Sequence, residues 1–88
     1  MDSWETEIIV VFKSTHETLT AEKGLKGASI RIRTMIKPRS ISSQCSLALS
    51  FRREDWERVR IVCNEGGWHP VGYYIPAEDG SWEALGED

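Results

Sequence analysis

SIRIRTMIKPRSISSQCSLALSF, residues 29–51, is the stretch that decides the fold. Both of its ends alternate apolar with polar or small side chains, the period of a strand with one covered face. In 29–36, Ile30, Ile32 and Ile36 point one way and Arg31, Arg33 and Met35 the other. In 45–51, Leu47, Leu49 and Phe51 share one face, and Ser46, Ala48 and Ser50 the other. Between them KPRSISSQ, residues 37–44, is polar and interrupted by Pro38, so it reads as a loop. Two strands joined this closely run antiparallel.

On the N-terminal side, TEIIVVF, residues 6–12, is apolar on both faces and suits a central strand. Ser14, followed three residues later by Glu17, has the spacing of a capping box and predicts a helix from about Thr15 to Lys26. Thr18, Ala21, Leu25 and Ala28 then share a face, and Gly27 is the expected stop. On the C-terminal side, residues 54–65 predict a second helix. It has Glu54 and Asp55 in its first turn, Trp56, Val59 and Cys63 as its apolar stripe, and Gly66-Gly67 at its end. VGYYI, residues 71–75, is a last short strand closed by Pro76.

The order is β-α-β-β-α-β. Its simplest solution is an α+β, ferredoxin-like sandwich: a four-stranded antiparallel sheet with two helices on one face. The other face would lie open and carry Arg31, Arg33, Ser46, Ala48 and Ser50. Residues 1–75 are expected to form this single domain, and residues 76–88 an acidic tail.

Composition sets outer bounds. The chain is 40% hydrophobic and 28% charged, which fits a folded soluble protein and argues against disorder. No apolar run is long enough to cross a bilayer, and MDSWETE at the N-terminus is no secretory signal. The expected location is the cytoplasm, where Cys45 and Cys63 would both be free thiols. The net charge of −3 divides unevenly. Residues 76–88 hold five acids and no base, leaving nine acids against eleven bases in residues 1–75. That is too weak a positive balance to imply nucleic acid, and the third strand lacks the exposed aromatics a sheet needs to stack bases. Scattered His16, Cys45, Cys63 and His69 show no metal-ligand spacing, so no metal or other cofactor is expected.

The topology gathers chemistry at one edge. A helical crossover makes strands one and two run the same way. The end of strand one, the start of helix one, the 37–44 loop and Cys45 therefore share an edge, joined by the loop carrying His69. Cys45 would lie near His16 and the backbone of Ser14 and Thr15, after Lys37 and Arg39. A helix N-terminus and nearby cations favour a thiolate, and the same groups attract anions. A competing reading has Cys45 as a small core residue, since it shares parity with Leu47, Leu49 and Phe51. Cys63, on the helix stripe, reads as core.

STHETLTAEKGLKG, residues 14–27, and KPRSISSQCSLALSF, residues 37–51, resemble the selenium/sulfur carrier-like protein family. The resemblance covers roughly residues 7–75. Its most specific part is P-R-x-[IL]-S-S-x-C, which Pro38, Arg39, Ile41, Ser42, Ser43 and Cys45 match. Ser14, Thr15 and His16 match the family's helix start. One position departs: the glycine that follows the family's cysteine is Ser46 here. The resemblance implies a carrier whose cysteine holds sulfur or selenium and passes it on between donor and acceptor proteins. Cys45 would be the carrying thiol, with Arg39, Lys37, His16, Ser14, Thr15 and Ser43 as the anion-holding surround.

No acid/base carboxylate pair, phosphate loop or oxyanion hole is visible, which argues against a free-standing enzyme. The alternative is a small anion-binding or protein-interaction module of the same fold, in which Cys45 only packs. An open sheet face would also allow a homodimer.

Overall fold

The computed structural model describes residues 7–85. The elements are β1 (Glu7–Val11), α1 (Thr15–Gly27), β2 (Arg33–Ile36), β3 (Leu47–Arg52), α2 (Trp56–Gly66), β4 (Gly72–Pro76) and β5 (Trp82–Ala84), with a short 3₁₀ turn at Arg53–Asp55. They form an α+β structure with two helices and one antiparallel sheet, in the order β2-β3-β1-β4-β5. The sheet has five strands where the sequence predicted four. The fifth comes from the stretch read as an acidic tail: Trp82 pairs with Pro76, Glu83 with Ile75 and Ala84 with Tyr74. A turn at 77–80 brings this strand back, with Gly80 at φ 89°. Its alternation was hidden by Glu83 and by its length of three residues.

Register sorts the strand side chains. Ile8 faces Phe51 and Val10 faces both Leu49 and Tyr73, so these five share one face. Both helices bury against that face through Ala21 and Leu25 of α1 and Val59 and Cys63 of α2. Cys63 is thus a core residue, as its place on the stripe predicts. Trp68 wedges between the helices. A Cβ on Gly24 of α1 would overlap its indole, and one on Gly66 of α2 would sit 2.8 Å from its Cη2.

The opposite face is not open. Ile9, Val11 and Ala48 are buried beneath Ile41 of the 37–44 segment and beside Met35, Tyr74 and Trp82, and Ser50 is buried as well. The expected open face therefore fails at Ala48 and Ser50, while Arg31, Arg33 and Ser46 are exposed as expected. The physical reason lies in β1. A strand apolar on both faces requires cover on both. The small side chains of β3 leave room for that cover to approach.

The turn out of α1 also differs. Gly27 is the last helical residue, and the backbone reverses at Ser29, with φ 66°. Ile30 N–H then bonds back to the Leu25 carbonyl at 3.1 Å. This closure occupies residues predicted as strand, so β2 begins only at Arg33. Ile30 and Ile32 still point into the core from irregular backbone.

Candidate functional site

Three segments meet around the Cys45 sulfur. Ser14 caps α1, its Oγ accepting from Glu17 N–H at 3.1 Å. The second half of the predicted capping box is absent. Glu17 turns outward, and its Oε2 accepts from His69 N–H at 2.9 Å. Together with Val71 N–H on the Val11 carbonyl at 2.7 Å, this pins the loop before β4 to the first turn of α1 and the end of β1. The topology placed that loop at this edge, and it is there.

The 37–44 loop is strapped down on the opposite flank. Lys37 Nζ donates to the Ile41 carbonyl at 2.6 Å. Ser43 Oγ donates to the Phe12 carbonyl at 2.7 Å and accepts from Cys45 N–H at 3.1 Å. One serine thus ties the cysteine backbone to the end of β1. Ser46 requires no left-handed backbone, because Ser29 is the one non-glycine residue with positive φ among the described residues. The Ser46 carbonyl accepts from Lys37 N–H at 2.8 Å and closes the loop at its base. Serine at this position is accommodated without a left-handed backbone.

The thiol itself is 1% exposed. Thr18 Oγ1 lies 3.3 Å from Sγ and Thr15 Oγ1 3.7 Å. Leu47 N–H donates to Sγ at 3.3 Å. Burial pushes the thiol pKa up. The Thr18 hydroxyl, the Leu47 N–H, the Thr15 hydroxyl and the positive charge of Lys37 together outweigh that effect and hold it below the ordinary thiol value. Cys63 shows the opposite balance. Its burial dominates the Tyr73 hydroxyl beside it, and its pKa is raised. The two buried cysteines are therefore driven apart, because hydrogen bonds prevail at Cys45 and burial prevails at Cys63.

The predicted residues divide into two groups. Cys45, Thr15, Ser14, Ser43 and Lys37 are brought together by the contacts above. His16 and Arg39 are exposed on the surrounding surface, and no hydrogen bond or ion pair links either to Cys45. Sequence reasoning missed Thr18 and the Leu47 N–H. Thr18 carried a signal: a threonine on the apolar stripe of a helix needs a hydroxyl partner once buried. Here the partners are the Ser14 carbonyl at 2.8 Å and the sulfur.

Among the described residues no group of three or more His, Cys, Asp and Glu side chains is placed to hold a metal ion. No helix among them is long and apolar enough to cross a membrane. A cleft of about 430 Å³ lies apart from Cys45, lined by Arg60, Cys63, Trp68, His69 and Tyr73 among others.

No curated protein and no solved structure matches the chain. A family model does, that of the "Putative Se/S carrier protein-like" proteins, over residues 7–75. This span runs from the first residue of β1 through the penultimate residue of β4, and contains every residue placed around the thiol. By this match the chain belongs to the Se/S carrier protein-like family.

Proposed function

We propose that this protein carries a single sulfur or selenium atom on Cys45. The observation that carries the reading is the set of three polar groups converging on one sulfur: the Leu47 N–H, which donates to it, and the Thr18 and Thr15 hydroxyls, which can donate to it once it is charged. Such donors stabilise a sulfur anion, both the thiolate that attacks and the perthiolate that results. Family membership supports the same reading. So does the fold, since the β2-β3-β1-β4 part of the sheet with its two helices suits the ferredoxin-like arrangement that sets the α1 N-terminus beside the 37–44 loop.

The transfer balances without a cofactor. The Cys45 thiolate attacks the terminal sulfur of a donor persulfide. A new S–S bond forms as the donor's own S–S bond breaks, and the donor leaves as a thiolate. Cys45 is then a persulfide, and an acceptor thiolate removes the terminal atom by the same exchange. A perselenide donor would pass selenium identically. The partners are thus a donor and an acceptor protein, each presenting a cysteine. A reducing compartment such as the cytoplasm suits the two free thiols.

The test is incubation with glutathione persulfide, followed by intact-mass analysis. The wild type should gain one sulfur atom. Cys45→Ala should not, while Cys63→Ala should load as the wild type does. Loading that survives Cys45→Ala would end the proposal.

The burial of Cys45 favours a second reading, in which the thiol only packs and the surrounding basic surface of Arg39 and His16 binds an anion or a partner. In that case Cys45→Ala keeps the ligand and Arg39→Ala loses it.

A further inference from the structure

A carrier thiol must meet partners far larger than a water molecule, yet Cys45 is 1% exposed. Something must move. α1 is a poor candidate: Thr18, Ala21 and Leu25 are all fully buried, and Leu25 lies in the main core beneath both helices. β3 is held on both sides, by β1 and by β2. The segment from Lys37 to Ser46 has neither support. It contains no helix or strand, and Cys45 rides on its far end, before β3 begins at Leu47.

We propose that residues 38–45 form a strap that opens to present the thiol, with Ile41 as its catch. This deepens the carrier reading and rests on it for its purpose. The strap is closed at its base by Lys37 N–H on the Ser46 carbonyl. Besides the contacts of the Cys45 sulfur with Thr15, Thr18 and Leu47, three attachments hold it. Ile41, 4% exposed, is buried against Ile9, Val11 and Ala48 on the sheet face away from the helices. Lys37 Nζ reaches across the loop to the Ile41 carbonyl. Ser43 bridges Cys45 N–H to the Phe12 carbonyl. Releasing Ile41 frees the chain on which Cys45 sits, while the strands and helices keep their pairing. The sulfur then leaves Thr15 and Thr18 and turns to solvent. A local opening of this kind exposes little surface, so its denaturant dependence is shallow compared with global unfolding.

The experiment is alkylation of the full chain with iodoacetamide across low urea concentrations. The modified cysteine is located by mass spectrometry, and global unfolding is followed separately by tryptophan fluorescence. Cys45 should label with a urea slope well below the global one. Ile41→Ala should speed that labelling by about 50-fold, the factor for three fewer buried methyl or methylene groups. Ser43→Ala, which changes little volume, should also speed it and serves if Ile41→Ala fails to fold. A labelling rate identical in wild type and variants would show the thiol accessible without the strap and overturn the proposal. A slope equal to that of global unfolding would overturn it equally. Persulfide loading is scored independently. If loading fails while labelling behaves as described, the strap stands and the carrier reading falls.

Discussion

Thr18 Oγ1 lies 3.3 Å from Cys45 Sγ while also lying 2.8 Å from the Ser14 carbonyl. The hydroxyl has one proton and two acceptors. When Cys45 is a thiol, its own proton can point to the Leu47 carbonyl at 3.5 Å or to Thr18, while Thr18 donates to Ser14. When Cys45 ionises, the Thr18 proton turns to the sulfur. The pair therefore responds to charge on the sulfur without moving a heavy atom. The first turn of α1, capped by Ser14, places it there.

Thr18→Val keeps the shape and removes the hydroxyl. Cys45 alkylation at pH 7 in the native protein should slow by about tenfold, the effect of one lost hydrogen bond to a charged acceptor. The apparent pKa read from the pH profile should move up. Thr15→Val, at 3.7 Å, should do less, and Thr18→Ser should retain most of the wild-type rate. An unchanged pH profile in Thr18→Val would count against this role.

The two thiols should pull stability in opposite directions as pH rises. The folded pKa of Cys45 is lowered, so its contribution is present above the ordinary thiol value and lost as pH falls through the folded one. Cys63 and Tyr73 have raised values, mainly through burial, so the native state holds protons that the unfolded chain releases. Their effect is a loss of stability above the ordinary values. Urea unfolding between pH 7 and pH 10 should therefore fall off more steeply in Cys45→Ala than in wild type, and less steeply in Cys63→Ala.

Gly24→Ala tests the Trp68 wedge against helix propensity. In an open helix the change would stabilise by about 1 kcal/mol. Here the new methyl overlaps the indole, and overpacking costs about 1–3 kcal/mol. The net change in urea unfolding should be destabilising. It should reverse sign in a Trp68→Leu background, where the ring is gone.

Ser29→Gly should stabilise. A side chain at φ 66° is strained by about 1–2 kcal/mol, partly offset by the greater entropy glycine has in the unfolded chain. A gain of about 0.5–1 kcal/mol is expected by thermal or urea unfolding. A loss would mean that the Ser29 side chain makes a compensating contact.

Much of this was legible in the chain. The Ser14–Glu17 spacing marked the start of α1. The alternation of Leu47, Leu49 and Phe51 marked β3 and its buried face. The stripe of Val59 and Cys63 oriented α2. These are local properties, because periodicity and capping depend on neighbours a few residues away. The topology then followed from short connections, and it brought Cys45 to the start of α1. Where the reading failed, a distant group intervened. Glu17 left its own helix cap for the backbone of His69, 52 residues away. Ile41, in a polar loop, became the cover of a sheet face. Trp82 and Ala84 became an edge strand because β4 offered unpaired hydrogen-bonding groups.

By itself, then, the sequence determined both helices and four of the five strands, the apolar face that packs under the helices, and that a cysteine stands at the junction of loop and strand. Only the tertiary structure decided the chemistry of that cysteine. Burial raises a thiol pKa and hydrogen-bond donors lower it, so the outcome depends on which groups sit within about 3–4 Å of the sulfur. Those groups, Thr15 and Thr18 from one segment and the Leu47 N–H from another, are separated from one another by some 30 residues of chain. Folding, not local pattern, sets them beside Cys45 and leaves Cys63 with Tyr73.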